Sequence, residues 1–335
     1  MNVIDIPFSV AHTMIIWIGT VFGGLVLLVW SADRFVFGAS ALARNLGISP
    51  LVIGLTIIGV GTSAPEMLIS AMAALNGNGG IAIGNAVGSN IANIGLVAGG
   101  CALVLPVAVR SPTLRREFPL MIAAAALAWY LLHDGLLDLA DGVLLLAGFV
   151  LVFVVMSVTA FKAPSTDPIG DEFAASIPAT TSTSIAMVWI AVGLVVLLVS
   201  ARMVVWGAAN IALALDVSEL VVGLTVVAVG TSLPELAASM ASVLKNEPDL
   251  AVGNVLGSNM FNMLPVLGIP GVIAPTAVDP AAIYRDFPVM AVFSVVFFLM
   301  AFGFRGPGRI NRVEGAVLLS AYLAYQGYLY LSSIA

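Results

Sequence analysis

Two phrases of the same form carry the residues that could do chemistry, Gly61-Thr62-Ser63-Ala64-Pro65-Glu66 and Gly230-Thr231-Ser232-Leu233-Pro234-Glu235. Each glutamate follows an apolar run and precedes a small-residue apolar stretch, which sets it near mid-depth of any membrane those runs cross. An ionisable side chain at that depth is costly and marks function by default. Pro65 and Pro234 have no amide proton and clash with the preceding turn, so the helix must break there and leave backbone carbonyls free to face a cation. Ser63 precedes Glu66, and Ser232 precedes Glu235, at the capping-box spacing that starts a helix. Thr62 and Glu66 also share a face at i,i+4.

A second polar set follows each phrase. Ser89 and Asn93, and likewise Ser258 and Asn262, lie at i,i+4 and project oxygens from one stripe. In the same spans Gly84 and Gly88, or Gly253 and Gly257, form small faces that let helices approach closely. If the halves converge, the result is a cluster of carboxylates, hydroxyls, amides and carbonyls with no His or Cys. Hard cations such as Ca²⁺ take about six to eight oxygen ligands, whereas thiolate or imidazole would serve zinc or copper, so these oxygens favour Ca²⁺ or Na⁺. Two glutamates offer a formal charge of −2, which one Ca²⁺, two or more Na⁺ or two protons neutralise. Mutually exclusive occupancy of one charge cluster gives ion exchange a physical basis. The bland alternatives are helix capping for the two phrases and interhelical hydrogen bonding for Ser89, Asn93, Ser258 and Asn262. For Asn85, Asn90, Asn254 and Asn259, which flank the stripe, structural hydrogen bonding is the favoured reading. Arg115-Arg116-Glu117 reads as an ordinary interfacial charge group.

The elements that position this cluster must span lipid. Of 335 residues 61% are hydrophobic and 9% charged, and the mean hydropathy of +1.11 is far above that of a soluble domain. The expected fold class is an all-α polytopic membrane protein. Apolar runs of about 20 residues, the length that crosses a bilayer, lie at 14–30, 50–75, 81–105, 117–133, 142–160, 185–204, 219–243, 250–273, 287–304 and 313–333, giving ten spans. Residues 35–46, which carry Arg44 and run into Gly47-Ile48-Ser49-Pro50, read as an interfacial lead-in to the second span, with 205–216 as its counterpart. No basic residue precedes the first run and no small-residue cleavage site follows it, so it is expected to stay as a span. The polar stretch 162–184, with Pro164, Pro168 and Pro178, is a linker between a first unit, 1–161, and a second, 185–335. The lone Cys101 is expected to pack in the core. No basic block points to nucleic acid, and no obligatory protein partner is evident. No resident cofactor is expected.

A gap-free shift of 169 residues places Gly61 on Gly230, Glu66 on Glu235, Gly84 on Gly253, Asn93 on Asn262 and Phe118-Pro119 on Phe287-Pro288. Between 51–66 and 220–235, eleven of sixteen positions are identical, so the halves are duplicates. Five spans per half is an odd number, so the second copy enters the membrane upside down and the repeat is inverted, with broken helices at the ion site. With the N-terminus outside, inner loops hold ten of the twelve basic residues and only Arg202 and Arg285 remain outside, which makes the linker cytoplasmic and the membrane the cell's inner (plasma) membrane.

With GTSAPE and GNAVGSNIAN in one half and GTSLPE and GNVLGSNMFN in the other, the chain resembles the calcium/cation antiporter superfamily, nearest its small prokaryotic sodium/calcium exchangers. The match covers nearly the whole chain. The resemblance implies exchange of cytosolic Ca²⁺ against Na⁺ by alternating access, with the first and sixth spans sliding as a gating pair across a rigid core. It makes Glu66 and Glu235 the carboxylates shared by Ca²⁺ and Na⁺, and has Thr62 and Thr231 supply mainly backbone carbonyls to Ca²⁺. It makes Ser63, Ser89, Ser232 and Ser258 Na⁺ ligands, with carbonyls from Gly59 and Ala228, and puts Asn93 and Asn262 at the centre. Many members carry an aspartate where Asn262 stands, so the amide removes one titratable group from the cluster. A proton-driven Ca²⁺ antiporter would use the same oxygens. A channel would need an open polar path where this chain has isolated carboxylates between apolar stretches, and the sequence holds no His-Glu-x-x-His or Gly-x-Ser-x-Gly phrase for an intramembrane enzyme.

Overall fold

Backbone amides in lipid find no water, so a chain this apolar satisfies them within helices. The computed structural model describes residues 8–47, 59–109, 112–161, 181–302 and 308–334, and ten helices follow one another in them. They are α1 (Phe8–Asn45), α2 (Gly59–Thr62 and Ala64–Leu75, interrupted at Ser63), α3 (Gly79–Val104), α4 (Pro112–Leu132) and α5 (Leu139–Phe161). The second half supplies α6 (Thr183–Leu215), α7 (Glu219–Leu244, interrupted at Ser232), α8 (Pro248–Ile273), α9 (Ala282–Ala301) and α10 (Arg312–Ile334). Seven of the described helices are long and apolar enough to cross a membrane. Residues 48 and 49, the start of the expected second span, 50–58, and residues 162–180 of the expected linker lie outside the described residues.

Residues 35–45 are not a separate segment ahead of the second span but continue α1, which runs unbroken for 38 residues, and 205–215 likewise belongs to α6. Each helix stops only where the backbone turns left-handed, at Gly47 with φ of 81° and at Asp216 with φ of 54°. The extra length is used in packing. A Cβ added at Gly38 would lie 2.6 Å from the Ala186 carbonyl, and one at Gly193 would lie 2.8 Å from the Phe35 Cα, so α1 and α6 touch backbone to backbone. Trp30 meets Trp189 edge-on at 6.3 Å and the Arg34 guanidinium lies 5.3 Å from the Trp189 ring centre, fixing the same pair further along.

The centre of the molecule is α3 and α8, which are almost wholly buried, while α1, α5 and α6 present apolar side chains such as Phe22, Leu144 and Val188 outward, as helices facing lipid do. Glu117 departs from the interfacial reading, being only 3% exposed. The first turns of α4 are tucked against α9, where Phe118 packs on Phe297 and Phe298 with ring centres 5.3 and 5.6 Å apart. Cys101 is buried in the core as expected.

Two short antiparallel strand pairs join the halves. β1 (Val107–Val109) pairs with β4 (Gly308–Ile310), and β2 (Leu136–Leu137) pairs with β3 (Thr276–Ala277). Six helices separate β1 from β4 and four separate β2 from β3, both even numbers, as they must be if every helix crosses once and paired strands share a face. A single helix, α4, lies between β1 and β2, so the two clips fall on opposite faces. The Asn45 amide reaches the Thr181 carbonyl at 2.9 Å, and the Asn78 amide reaches the Glu219 carboxylate at 2.7 Å. Four helices separate the partners in each case. All four links agree with ten single crossings and with inverted halves.

Candidate functional site

Both proline phrases break their helices. Ser63 and Ser232 each interrupt the helix for one residue, and Pro65 and Pro234 open the next piece, so the carbonyls of Gly61 and Gly230 lose their ordinary i+4 donor. Glu66 and Glu235 then fall in the first turn of the restarted helix, where the backbone dipole favours negative charge. The capping box expected from the sequence is not formed. A cap requires extended backbone, as at Ser182 with φ −65° and ψ 149°, which accepts from the Ile185 amide. Ser63 has φ −86° and ψ 3°, and Ser232 has φ −80° and ψ 0°, and neither hydroxyl caps an amide. Both are fully buried, and neither meets a hydrogen-bonding partner among the described residues.

The carboxylates are equally deep. Glu66 and Glu235 have no exposed surface, and the charge of Glu235 reaches Glu66. Neither oxygen of Glu66 makes a hydrogen bond of ordinary length among the described residues, although the Thr231 hydroxyl and the residue's own amide lie close enough to favour its charge. Glu235 accepts one long bond, 3.4 Å, from the Ser258 hydroxyl at Oε1, and its Oε2 has none. No lysine, arginine or histidine among the described residues pairs with either. Removing a carboxylate from water costs several kcal/mol unless an opposite charge or several donors replace the solvent, so the arrangement calls for cations.

The central helices bring up the rest. Ser89, Asn93, Ser258 and Asn262 are all buried, on α3 and α8. Asn93 and Asn262 each begin a stretch where the helix widens into π turns, Asn93–Ala98 and Asn262–Val266, a distortion that recurs at functional sites. The second stretch holds Pro265, whose missing amide accounts for the widening there. Asn262 has no partner at either polar atom among the described residues, so interhelical bonding does not account for it. The Asn93 amide donates to Asn259 Oδ1 at 3.1 Å, leaving its own Oδ1 unpartnered. Ser89 and Thr231 hydroxyls are 3.2 Å apart, which ties α3 to the break in α7. Thr231 also donates to Asn85 Oδ1 at 3.2 Å, and Thr62 donates to Asn254 Oδ1 at 3.4 Å, the matching tie from α2 to α8. The Ala228 carbonyl already accepts from the Ser232 amide at 3.0 Å and the Thr231 hydroxyl at 3.3 Å, and Gly59 begins the described part of α2. Among the described residues no three His, Cys, Asp or Glu side chains gather in one place, so beyond the two carboxylates the donors are hydroxyls, amides and carbonyls.

Gly84 and Gly88 make the expected close face. Cβ atoms there would lie 2.9 Å from Gly223 Cα and 2.8 Å from Ala228 Cβ. For the counterpart face, the residues that the offset of 169 sets opposite Gly253 and Gly257, namely 51, 54 and 55, lie outside the described residues. Asn85 and Asn254 make structural hydrogen bonds, the favoured reading, and those bonds reach the glutamate-bearing turns and the threonines of the breaks. The signal was present, because Asn85 precedes Ser89 by the same i,i+4 step that links Ser89 to Asn93.

A profile of the family described as sodium/calcium exchanger protein matches residues 16–158 and 185–331. A relative named CaxA from Alkalimonas amylolytica is 52% identical over 310 residues, 92% of this chain and 97% of its own. The inner membrane protein YrbG of Escherichia coli K12 is 42% identical over 309 residues, covering 92% of this chain and 94% of its own. Among solved structures, the sodium-calcium exchanger NCX_Mj, soaked with Na⁺ and Sr²⁺, superimposes with a TM-score of 0.65 at 33% identity, over 93% of this chain and 97% of that one.

Proposed function

The chain belongs to the sodium/calcium exchanger protein family, and from that premise we propose that it moves Ca²⁺ against Na⁺ by alternating access at Glu66 and Glu235. One observation carries the proposal: two fully buried glutamates, one within reach of the other's charge, three of whose four oxygens make no hydrogen bond of ordinary length among the described residues. A pair of such carboxylates is balanced by one Ca²⁺ or by two or more Na⁺, so one load excludes the other. The ions are substrates, and no resident cofactor is needed. In this reading the carbonyls of Thr62 and Thr231 join the carboxylates around Ca²⁺. Ser63, Ser89, Ser232 and Ser258, with the carbonyls of Gly59 and Ala228, serve Na⁺. Asn93 and Asn262 stand at the centre as neutral oxygen donors. The unpartnered hydroxyls of Ser63 and Ser232 and the unpartnered Asn262 amide support those assignments.

In proteoliposomes an outward Na⁺ gradient drives uptake of labelled Ca²⁺, and collapsing the Na⁺ gradient stops it. A proton gradient alone gives none. Uptake that follows protons and ignores Na⁺ would move the assignment to Ca²⁺/H⁺ antiport, and no gradient-dependent uptake would end it.

The basic loops and the kinship with a protein named for the inner membrane support a placement in that membrane with the N-terminus outside and the linker, 162–184, in the cytoplasm between two inverted units, 1–161 and 185–335. A cysteine introduced at Ser165 is then labelled only by reagents with access to the cytoplasm, and one at Gly77 only from outside. Labelling of both from one side contradicts this orientation.

A further inference from the structure

Two asparagines make the same three bonds in the two halves. Asn85 Nδ2 donates to the Glu66 carbonyl at 3.3 Å and to the Ser70 hydroxyl at 3.1 Å, and its Oδ1 accepts from the Thr231 hydroxyl at 3.2 Å. Asn254 Nδ2 donates to the Glu235 carbonyl at 3.3 Å and to the Ser239 hydroxyl at 3.0 Å, and its Oδ1 accepts from the Thr62 hydroxyl at 3.4 Å. Every pair is related by the offset of 169 residues that relates the halves. The amide orientation follows from the partners. A backbone carbonyl only accepts, so the NH₂ group must face Glu66 or Glu235, which turns Oδ1 toward the threonine and makes that hydroxyl the donor.

The pattern crosses the molecule. Both donors of each asparagine hold the glutamate-bearing turn of its own repeat, and its acceptor holds the broken helix of the other. We infer that Asn85 and Asn254 are positioning residues that tie each glutamate to the threonine of the opposite repeat, so that the two halves of the ion site are set together. The inference rests on the exchange reading for its functional meaning, and on the bonds alone for its structural content.

The test is a pair of double-mutant cycles on the full-length protein, read as the Ca²⁺ concentration for half-maximal Na⁺-driven uptake. Asn85→Leu and Thr231→Val remove the two ends of one tie, and Thr→Val leaves the backbone carbonyl in place. Each single change should weaken apparent Ca²⁺ affinity about 5- to 10-fold, and the double variant should be no worse than the weaker single one. Asn85→Leu with Thr62→Val, which share no such tie, should multiply their effects. The mirror cycle, Asn254→Leu with Thr62→Val, should behave as the first. Additive behaviour in both crossed cycles overturns the inference, and Asn85→Ala replaces the leucine variant if the larger side chain blocks folding. A second measurement needs no transport. In ion-free protein Thr231→Val should speed amide hydrogen exchange at 64–70, in the opposite repeat, by about 5-fold. Unchanged exchange there also overturns it. If the parent protein shows no Na⁺-driven uptake while exchange at 64–70 responds, the transport reading fails and the crossed tie stands.

Discussion

Glu66→Gln and Glu235→Gln each reduce Na⁺-driven Ca²⁺ uptake by more than about 100-fold while the protein stays folded. At an effective dielectric of ~20, a carboxylate about 2.4 Å from a dication attracts it by on the order of 14 kcal/mol before desolvation is counted. Even if only a quarter of that survives, ~3.5 kcal/mol of lost attraction weakens binding more than about 100-fold. The amide keeps the volume of the acid, and it removes a buried charge that finds almost no donor in the protein, so the fold has little to lose. Flux in proteoliposomes, beside elution profile and melting temperature for each variant, separates the two effects. Ca²⁺ uptake near the parental rate in either variant would show that the site lies elsewhere.

Gly84→Leu prevents the protein from assembling. A Cβ at this position would press on the Leu220 carbonyl and lie 2.9 Å from both Gly223 Cα and the Leu224 amide, all backbone atoms of α7. Overpacking a core costs about 1–3 kcal/mol when side chains can move aside. Here only whole helices can move, against a total stability of about 5–15 kcal/mol. Gly327→Leu is the control, since this glycine of α10 is exposed and its Cβ would meet no described atom within 4 Å. Yield of monodisperse protein and melting temperature should fall sharply for the first and little for the second. Equal stability of the two would mean that α3 and α7 are not in backbone contact.

The glutamates and the helix breaks are legible because proline chemistry is local and because the phrase occurs twice. The inverted arrangement follows from counting spans, and the pairing of β1 with β4 and β2 with β3 agrees with that count. Other features escape a linear reading. Capping-box spacing at Ser63 is a statement about residue types, whereas capping depends on ψ, and a ψ of 3° aims the hydroxyl away from the amides. The 38-residue α1 looked like a span with an interfacial lead-in because Arg44 and the Gly47-Ile48-Ser49-Pro50 turn resemble a membrane boundary, yet a helix packed along α6 does not stop at one. Widening at Asn93 leaves no periodic trace, since the residues of that stretch are apolar on all sides. For Asn85 and Asn254 the i,i+4 step marks the stripe, but the hydroxyls that donate to their Oδ1 atoms come from the other half of the chain.

The strand clips have a mechanical meaning. β1–β4 and β2–β3 fasten segments at the ends of α3, α4, α5, α8, α9 and α10, on opposite faces. A frame bolted top and bottom resists racking, because any tilt that relieves one bolt loads the other. α1 and α6 have neither bolt, and they touch backbone to backbone at Gly38 and Gly193. In the proposed exchange, a stiff frame leaves its unbolted pair as the part free to give way, and stiffness in one place then serves movement in another.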